Sequence, residues 1–299
     1  YCEACRIAKA KDARKYKGQT KREPQCYGDI YTFDHTHMGD VHGKPGLGGY
    51  MRALVQLDHA TRFKCFDPVE SQGTEETLLT LRHSKGSDDW KLLYSDNWPA
   101  YRDTAKLMGI PHEMCTPGVS QTNAVIERCI QDCKMGIRAM LMEAGLPACF
   151  WVLAGPCYCM MENIKEPTEE INKNIYIDEA DAEIIQENEN TVEISDGGRS
   201  PWYQRFGEEF DGYAIPFGCG VYYMPSKAQG EGSAAAPSLS FGIFLGYRIA
   251  PGGRWNKEYI VADLENFCGK DLSINADRGQ FRWGSWHITK QLKLSEKGI

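Results

Sequence analysis

Three acids, Asp34, Asp96 and Glu127, have the types and placements that phosphodiester chemistry uses. Two-metal chemistry of this kind takes carboxylates from separate elements that converge on one site, where the ions activate the attacking oxygen and stabilise the leaving one. Mg²⁺ suits it, because that ion takes a few carboxylates and fills its shell with water and substrate phosphate. Asp34 ends the strand-like run Ile30-Tyr31-Thr32-Phe33, Asp96 ends the run WKLLYS, and Glu127 falls in the first turn of a long helical pattern. Neighbouring strands of one sheet can bring the aspartates together, and the helix can lay Glu127 across their ends. Taken singly, each position is ordinary. An Asp after a strand is usually a turn residue or a cap, and the 299 residues include 41 acids. The combination, in this order of elements, carries the reading. Asp40 is the nearest rival to Asp34 as the first acid.

The elements that must position these acids follow from periodicity and turn chemistry. Residues 27–34 open at the turn-like Gly28-Asp29 and continue as a strand. Residues 49–58 and 61–69 are two further strands, and the Asp58-His59-Ala60 link predicts an antiparallel hairpin. Thr74 is placed to cap a helix over 75–84, with Glu75 and Glu76 in its first turn. Residues 90–95 form a buried strand that delivers Asp96. Pro99 suits the first turn of a helix over 100–108 that Gly109 ends, and residues 111–115 make a short strand. Ile126, Ile130, Cys133, Ile137 and Leu141 recur at helical spacing, predicting a helix over 123–144 that stops at Gly145. A further helix over about 148–163 contains Pro156, which should kink or shorten it. This order, antiparallel at its start and parallel afterwards, predicts an α/β fold: an RNase H-like core with a mixed five-stranded sheet and helices.

Composition sets bounds on the rest. Apolar residues make up 42% and charged residues 25%, ordinary for a globular chain. No apolar run approaches the roughly 20 residues that span a bilayer, and residues 1–26 are too basic and polar for a signal peptide. Twelve cysteines without a secretory signal predict reduced thiols. Cys129, Cys133, Cys149, Cys157 and Cys159 lie in apolar helical segments and should pack as small hydrophobes. The net charge of −7 is local in origin: residues 166–198 alone carry −10, the remainder is +3, and the first 26 residues are +5. Nucleic acid is therefore not excluded. The acidic stretch reads as a solvated linker. Residues 200–262, rich in Gly, Tyr and Phe, predict a small β-rich unit with a low-complexity loop at 226–237. The chain opens at Tyr1 inside a cysteine motif and reads as a piece of something longer.

The segments LLYSDNWPAY, CTPGVSQTNAVIERCI and LMEAGLPACFW resemble the catalytic core of integrases from copia-type and related LTR retrotransposons, where it is part of a Pol polyprotein. The likeness rests on Ser95-Asp96, then Gln121, Asn123, Glu127 and Arg128, then Ala144-Gly145-Leu146-Pro147 with Phe150-Trp151. The stretch YGDIYTFDHTHMGD puts Asp34 in the place of the first acid. It covers about residues 1–163 and, weakly, 200–262. The chain departs from the pattern where Ala124 replaces a Gly, where the preceding turn lacks its second Pro, and where Trp98-Pro99 replaces small residues.

The resemblance implies a DDE-type polynucleotidyl transferase with Mg²⁺ (or Mn²⁺) held by Asp34, Asp96 and Glu127. Water would attack near a DNA 3′ end, and the freed 3′ hydroxyl would then attack target DNA in line, without a covalent enzyme intermediate. It implies DNA binding through Asn123, Arg128, Lys134, Arg138, Lys15 and Lys17, a homo-oligomer, no membrane partner, and a nuclear site of action after a cytoplasmic particle stage. The expected organisation is a zinc-domain remnant with basic linker over 1–26, the RNase H-like core over 27–165, the acidic linker over 166–199 and a β-rich C-terminal region over 200–299.

Smaller features fit around this frame. Cys2 and Cys5, at knuckle spacing, are half of a Zn²⁺ site; the resemblance places a His pair before Tyr1, so Zn²⁺ belongs only to the intact N-terminal domain. The basic run from Lys9 to Arg22 is either a phosphate-tracking arm or a solvated linker. Gln131, Lys134 and Arg138 follow Glu127 at i+4, i+7 and i+11 and share its face, where they contact DNA or serve as surface charge. His35 and His37 are assigned to no metal, and phosphate-loop and metalloprotease spacings are absent. Two other readings stay open: a catalytically inactive or domesticated DNA-binding remnant, and a different RNase H-like nuclease or transposase, which should lack the β-rich unit.

Overall fold

The computed structural model describes residues 23–39, 43–115, 124–166, 198–225 and 237–294. Among them the first five strands form one sheet: β1 (Tyr31–His37), β2 (Arg52–Asp58), β3 (Lys64–Val69), β4 (Leu93–Ser95) and β5 (His112–Met114). Their order is β3-β2-β1-β4-β5. β1 pairs antiparallel with β2 and β2 with β3, whereas β1–β4 and β4–β5 are parallel. This order and polarity are those of the RNase H-like fold.

The central strand β1 is covered on both faces. Tyr31 and Phe33 join Leu54, Leu81, Leu93, Tyr101 and Ala105 on the side of α1 (Thr74–Lys85) and α2 (Pro99–Met108). On the other side Ala53, Val55 and Leu57 of β2 pack with α3 (Ala124–Ala144) and α4 (Trp151–Ile164). Coverage on both faces explains why β1 runs on through polar residues to His37, past the Asp34 at which the sequence pattern ends. Asp34 therefore stands in mid-strand.

Other differences have local causes. The link from β2 to β3 spans 59–63, because buried Asp58 accepts Thr61 N–H and Oγ–H on Oδ1 (both 2.8 Å) and Gly28 N–H on Oδ2 (2.9 Å), building a wider turn. Gly73, not Thr74, caps α1, and Thr77 Oγ returns to its carbonyl at 2.8 Å. In α3 the buried stripe is Ile126, Cys129, Cys133, Ile137 and Leu141, with Ile130 half-buried, as a 3.6-residue period requires. Gly109 and Gly145 take left-handed φ values of 67° and 62° and end α2 and α3 as expected. Pro156 does not shorten the helix: α4 continues through it to Ile164, and the expected start at 148 is instead a 3-10 turn, Ala148–Phe150.

A second five-stranded sheet is antiparallel throughout, in the order β10-β6-β7-β8-β9: β6 (Gly220–Tyr223), β7 (Ser240–Ile249), β8 (Trp255–Asp263), β9 (His287–Thr289) and β10 (Leu292–Leu294). It packs on α4, which touches β3 on one side and β7 on the other. A helix covered on two sides should be apolar around its circumference, and α4 buries Trp151, Val152, Leu153, Ala154, Cys157, Cys159 and Met160. Gly155 is where it meets β3: a Cβ there would overlap the Phe66 ring.

A short helix, α5 (Pro201–Phe206), adds a polar clasp between the two sheets. The Arg205 side chain is 1% exposed. Its Nη2 donates to Ser84 O at 3.2 Å, Asp88 Oδ2 at 2.8 Å and Gly252 O at 2.6 Å. The guanidinium stacks on Tyr27, Phe63 and Phe206 at 4.0–4.9 Å. Among the described residues no helix is long and apolar enough to cross a membrane.

Candidate active site

The parallel register of β1 and β4 positions the two aspartates. Tyr31 lies opposite Leu93 and Thr32 opposite Tyr94. Continued by two residues, the register sets Asp34 opposite Asp96, the first residue after β4. Glu127 is the fourth residue of α3, which packs on β1 and β2, and it is exposed. Burial, and then the negative fields of Asp96 and Glu127, raise the Asp34 carboxyl from 3.8 to about 6.

Around Asp34 the sequence reading missed Tyr101 and gave no role to His35, which it assigned to no metal. Among the described residues no strand pairs with β1 on that side past the end of β4, and Tyr101 of α2 takes its place. Its hydroxyl donates to Asp34 Oδ1 at 2.9 Å and accepts the His35 backbone N–H at 3.1 Å. The same N–H also reaches Asp34 Oδ1 at 2.8 Å. His35 Nδ1 lies 2.7 Å from Tyr101 Oη. Since the Tyr101 proton goes to Asp34, Nδ1 must carry the proton of that contact, which fixes the tautomer. Burial and the Arg52 charge push His35 down to about 4, so the ring is neutral, and its buried Nε2 has no partner among the described residues. Tyr101 was findable as the second residue after Pro99, on the first turn of a helix that starts three residues beyond Asp96. Asp96 in turn accepts the Cys115 thiol at 2.8 Å on Oδ1.

The donor set is hard oxygen, the kind Mg²⁺ and Mn²⁺ take. Burial is the main cause of the raised Asp34 carboxyl, and a cation would relieve the added repulsion from Asp96 and Glu127; in that respect the residues fit a divalent metal. Among the described residues, however, no three His, Cys, Asp or Glu side chains stand close enough to hold one ion between them. Asp34 and Asp96 are neighbours by register, and Asp96 acts on the Asp34 carboxyl more strongly than Glu127 does.

The remaining candidates divide. Arg128 is exposed next to Glu127. Lys134 and Arg138 line a cavity that none of the three acids lines. Cys2, Cys5, Lys15, Lys17, Asp40, Gln121 and Asn123 lie outside the described residues, as does most of the acidic stretch. Of the cysteines expected to pack, Cys129, Cys133, Cys149, Cys157 and Cys159 are all buried.

Comparison with known proteins adds the following. No family model matches the chain. Over 132 residues, 42% of this chain and 11% of the relative, it is 27% identical to a Pro-Pol polyprotein of feline foamy virus. Among solved structures it is similar to a chain of the simian T-cell lymphotropic virus intasome in complex with the PP2A regulatory subunit B56 gamma. That alignment has 13% identity, covers 98% of this chain and 87% of that one, and has a TM-score of 0.46. It is also similar to the catalytic core domain of BIV integrase, at 16% identity over 48% of this chain and 88% of that one, with a TM-score of 0.37. Strand order and register, and not these two likenesses, carry the fold.

Proposed function

We propose that the chain is part of an integrase from a copia-type or related LTR retrotransposon, a DDE-type polynucleotidyl transferase that processes and joins DNA 3′ ends. The observation that carries this reading is the β1–β4 register, which sets Asp34 against Asp96 while the field of Glu127 reaches the same carboxyl. The similarity to a retroviral Pro-Pol polyprotein supports it.

In this reading Asp34, Asp96 and Glu127 hold Mg²⁺ or Mn²⁺. Once bound, the metal supplies activation of the attacking oxygen and charge neutralisation at the phosphate. The chain's own groups do the positioning. Tyr101 and the His35 N–H both bind Oδ1 of Asp34 and fix the carboxylate plane. His35 holds the Tyr101 hydroxyl from behind. Both rest on regular elements, which suits a site that must keep its geometry. Glu127, exposed on the first turn of α3, is the group that closes the set. Arg128, Asn123 and the basic N-terminal arm with Lys15 and Lys17 are assigned to DNA, and a homo-oligomer working in the nucleus follows from the same reading. Cys2 and Cys5 would bind Zn²⁺ only within an intact N-terminal domain.

The test is DNA end joining or nicking by the full chain with Mg²⁺ or Mn²⁺. Activity is expected with the parent and absent with Asp96→Asn; undiminished activity of that variant overturns the assignment. One observation favours a second reading. Because no three donors among the described residues stand ready for a single ion, a catalytically silent DNA-binding remnant would show this same arrangement. Such a remnant binds DNA with steep salt dependence and yields no product at any divalent-metal concentration.

A further inference from the structure

The parallel strands of the first sheet end in a row of three polar groups. β4 and β5 pair Leu93 with His112, Tyr94 with Glu113 and Ser95 with Met114. Continued by one residue, that register sets Cys115 opposite Asp96, as the β1–β4 register sets Asp34 opposite Asp96 from the other side. Neighbouring strands lie about 4.8 Å apart, and residues at one level of a sheet point to the same face. Asp34, Asp96 and Cys115 therefore follow one another across three strands.

The two acids are held in different ways. Asp34 lies within β1, and its Oδ1 takes two donors, the Tyr101 hydroxyl at 2.9 Å and the His35 N–H at 2.8 Å. Asp96 lies beyond the end of β4, half-buried, on a turn in which Trp98 N–H donates to its carbonyl at 2.8 Å. Among the described residues its carboxylate takes one hydrogen bond, from the Cys115 thiol to Oδ1 at 2.8 Å. That thiol comes from a fixed frame. Cys115 N–H donates to Ser95 O at 3.0 Å, and His112 Nε2 lies 2.8 Å from the Ser95 hydroxyl. In both acids the chain thus occupies Oδ1, and among the described residues no hydrogen bond reaches Oδ2.

We propose that Cys115 is the positioning residue of Asp96: its S–H holds Oδ1 and leaves Oδ2 for a divalent cation. The inference rests on the metal reading of the acids and deepens it. A carboxylate on a turn, if unrestrained, loses its side-chain freedom only when the ion arrives, and that ordering costs affinity. A thiol is a weak donor, so it orders the carboxylate while drawing off little of the charge that attracts the ion. Groups that orient a metal ligand without touching the metal typically change its affinity by about tenfold or more.

The full chain is titrated with Mn²⁺ by calorimetry, with the free ion counted by its paramagnetic resonance signal. Cys115→Ala should weaken Mn²⁺ binding about tenfold, whereas Cys115→Ser, which keeps a donor at that place, should stay within about threefold of the parent. The metal-free melting temperature of both variants should lie within about 2 °C of the parent's, a readout that a merely structural role would move. Parent-like affinity in Cys115→Ala, together with loss in Asp96→Asn, overturns the role of Cys115 and leaves the metal site standing. Equal loss in Cys115→Ala and Cys115→Ser also overturns it, because the hydrogen bond is then not the cause. Binding that survives Asp96→Asn, or a parent that takes up no Mn²⁺, overturns the metal reading itself and the inference with it.

Discussion

Asp34 is held in a fold that disfavours its ionisation, and Asp34→Asn measures by how much. The carboxyl is raised from 3.8 to about 6 by burial first and then by Asp96 and Glu127, against the opposing pull of the Tyr101 and His35 hydrogen bonds. A folded-state pKa above the unfolded one means that the folded chain keeps a proton the unfolded chain has released. Stability therefore falls as pH rises from 3.8 to about 6, and the deficit is complete above that window. The displacement corresponds to roughly 3 kcal/mol. Asparagine keeps an oxygen to accept from Tyr101 and His35 but carries no charge. In metal-free buffer at pH 7.5, Asp34→Asn should melt about 5 °C above the parent, given the unfolding entropy of a chain this long. The gain should disappear below about pH 4, where the parent carboxyl is neutral in both states. Saturating Mg²⁺ should narrow the gap by stabilising the parent alone. The assay is scanning calorimetry across pH 4–8 with and without the ion. A variant that melts at or below the parent at pH 7.5, or a difference constant with pH, refutes the reasoning.

The same physics gives further expectations. Tyr101→Phe removes a hydrogen bond that lowers the Asp34 pKa, so in calorimetric pH series the falling limb of stability should extend above pH 6. A limb left in place would show that the hydroxyl does not set this carboxyl. Arg205→Ala strips a buried cation from Asp88, two carbonyls and three rings. It should cost about 3 kcal/mol in urea unfolding, and a loss under 1 kcal/mol would mean the clasp carries little. A chain cut after residue 166 would bare the β7-facing side of α4 and should lose cooperative unfolding; a sharp, parent-like transition would contradict the shared core.

What could be read in the sequence was local. The strand order, α2 with its Pro99 start and Gly109 stop, and the long α3 all follow from period and turn chemistry, which act within a few residues. Asp96 after β4 and Glu127 on the first turn of α3 were legible for that reason. The interaction of Tyr101 with Asp34 was not, since it joins residues 67 apart and arises only where β4 stops short of β1. The length of β1 was misread for a related cause. Its Asp34, Thr36 and His37 look like a turn until helices cover both faces of the sheet. The stripe on α3 was misassigned by one position, because Ile130 is the stronger hydrophobe but Cys129 has the better phase.

Between the two sheets the position of α4 decides more than either sheet does alone. The segment WVLAGPCYCMM is apolar in every direction, which is the signature of a helix with no solvent face, and Pro156 diverts attention from it. Once α4 is flanked by β3 and β7, Val55 and Phe66 of the first sheet belong to the same hydrophobic cluster as Phe244 and Val261 of the second. The C-terminal sheet is then part of the scaffold that holds α4, and through α4 it supports α3, which carries Glu127. Arg205 and the cavity lined by Lys134 and Arg138 both lie where elements from the two halves of the chain meet. A change in the second sheet can therefore reach the acidic site through packed side chains, although no residue of that sheet touches Asp34 in the hydrogen bonds described.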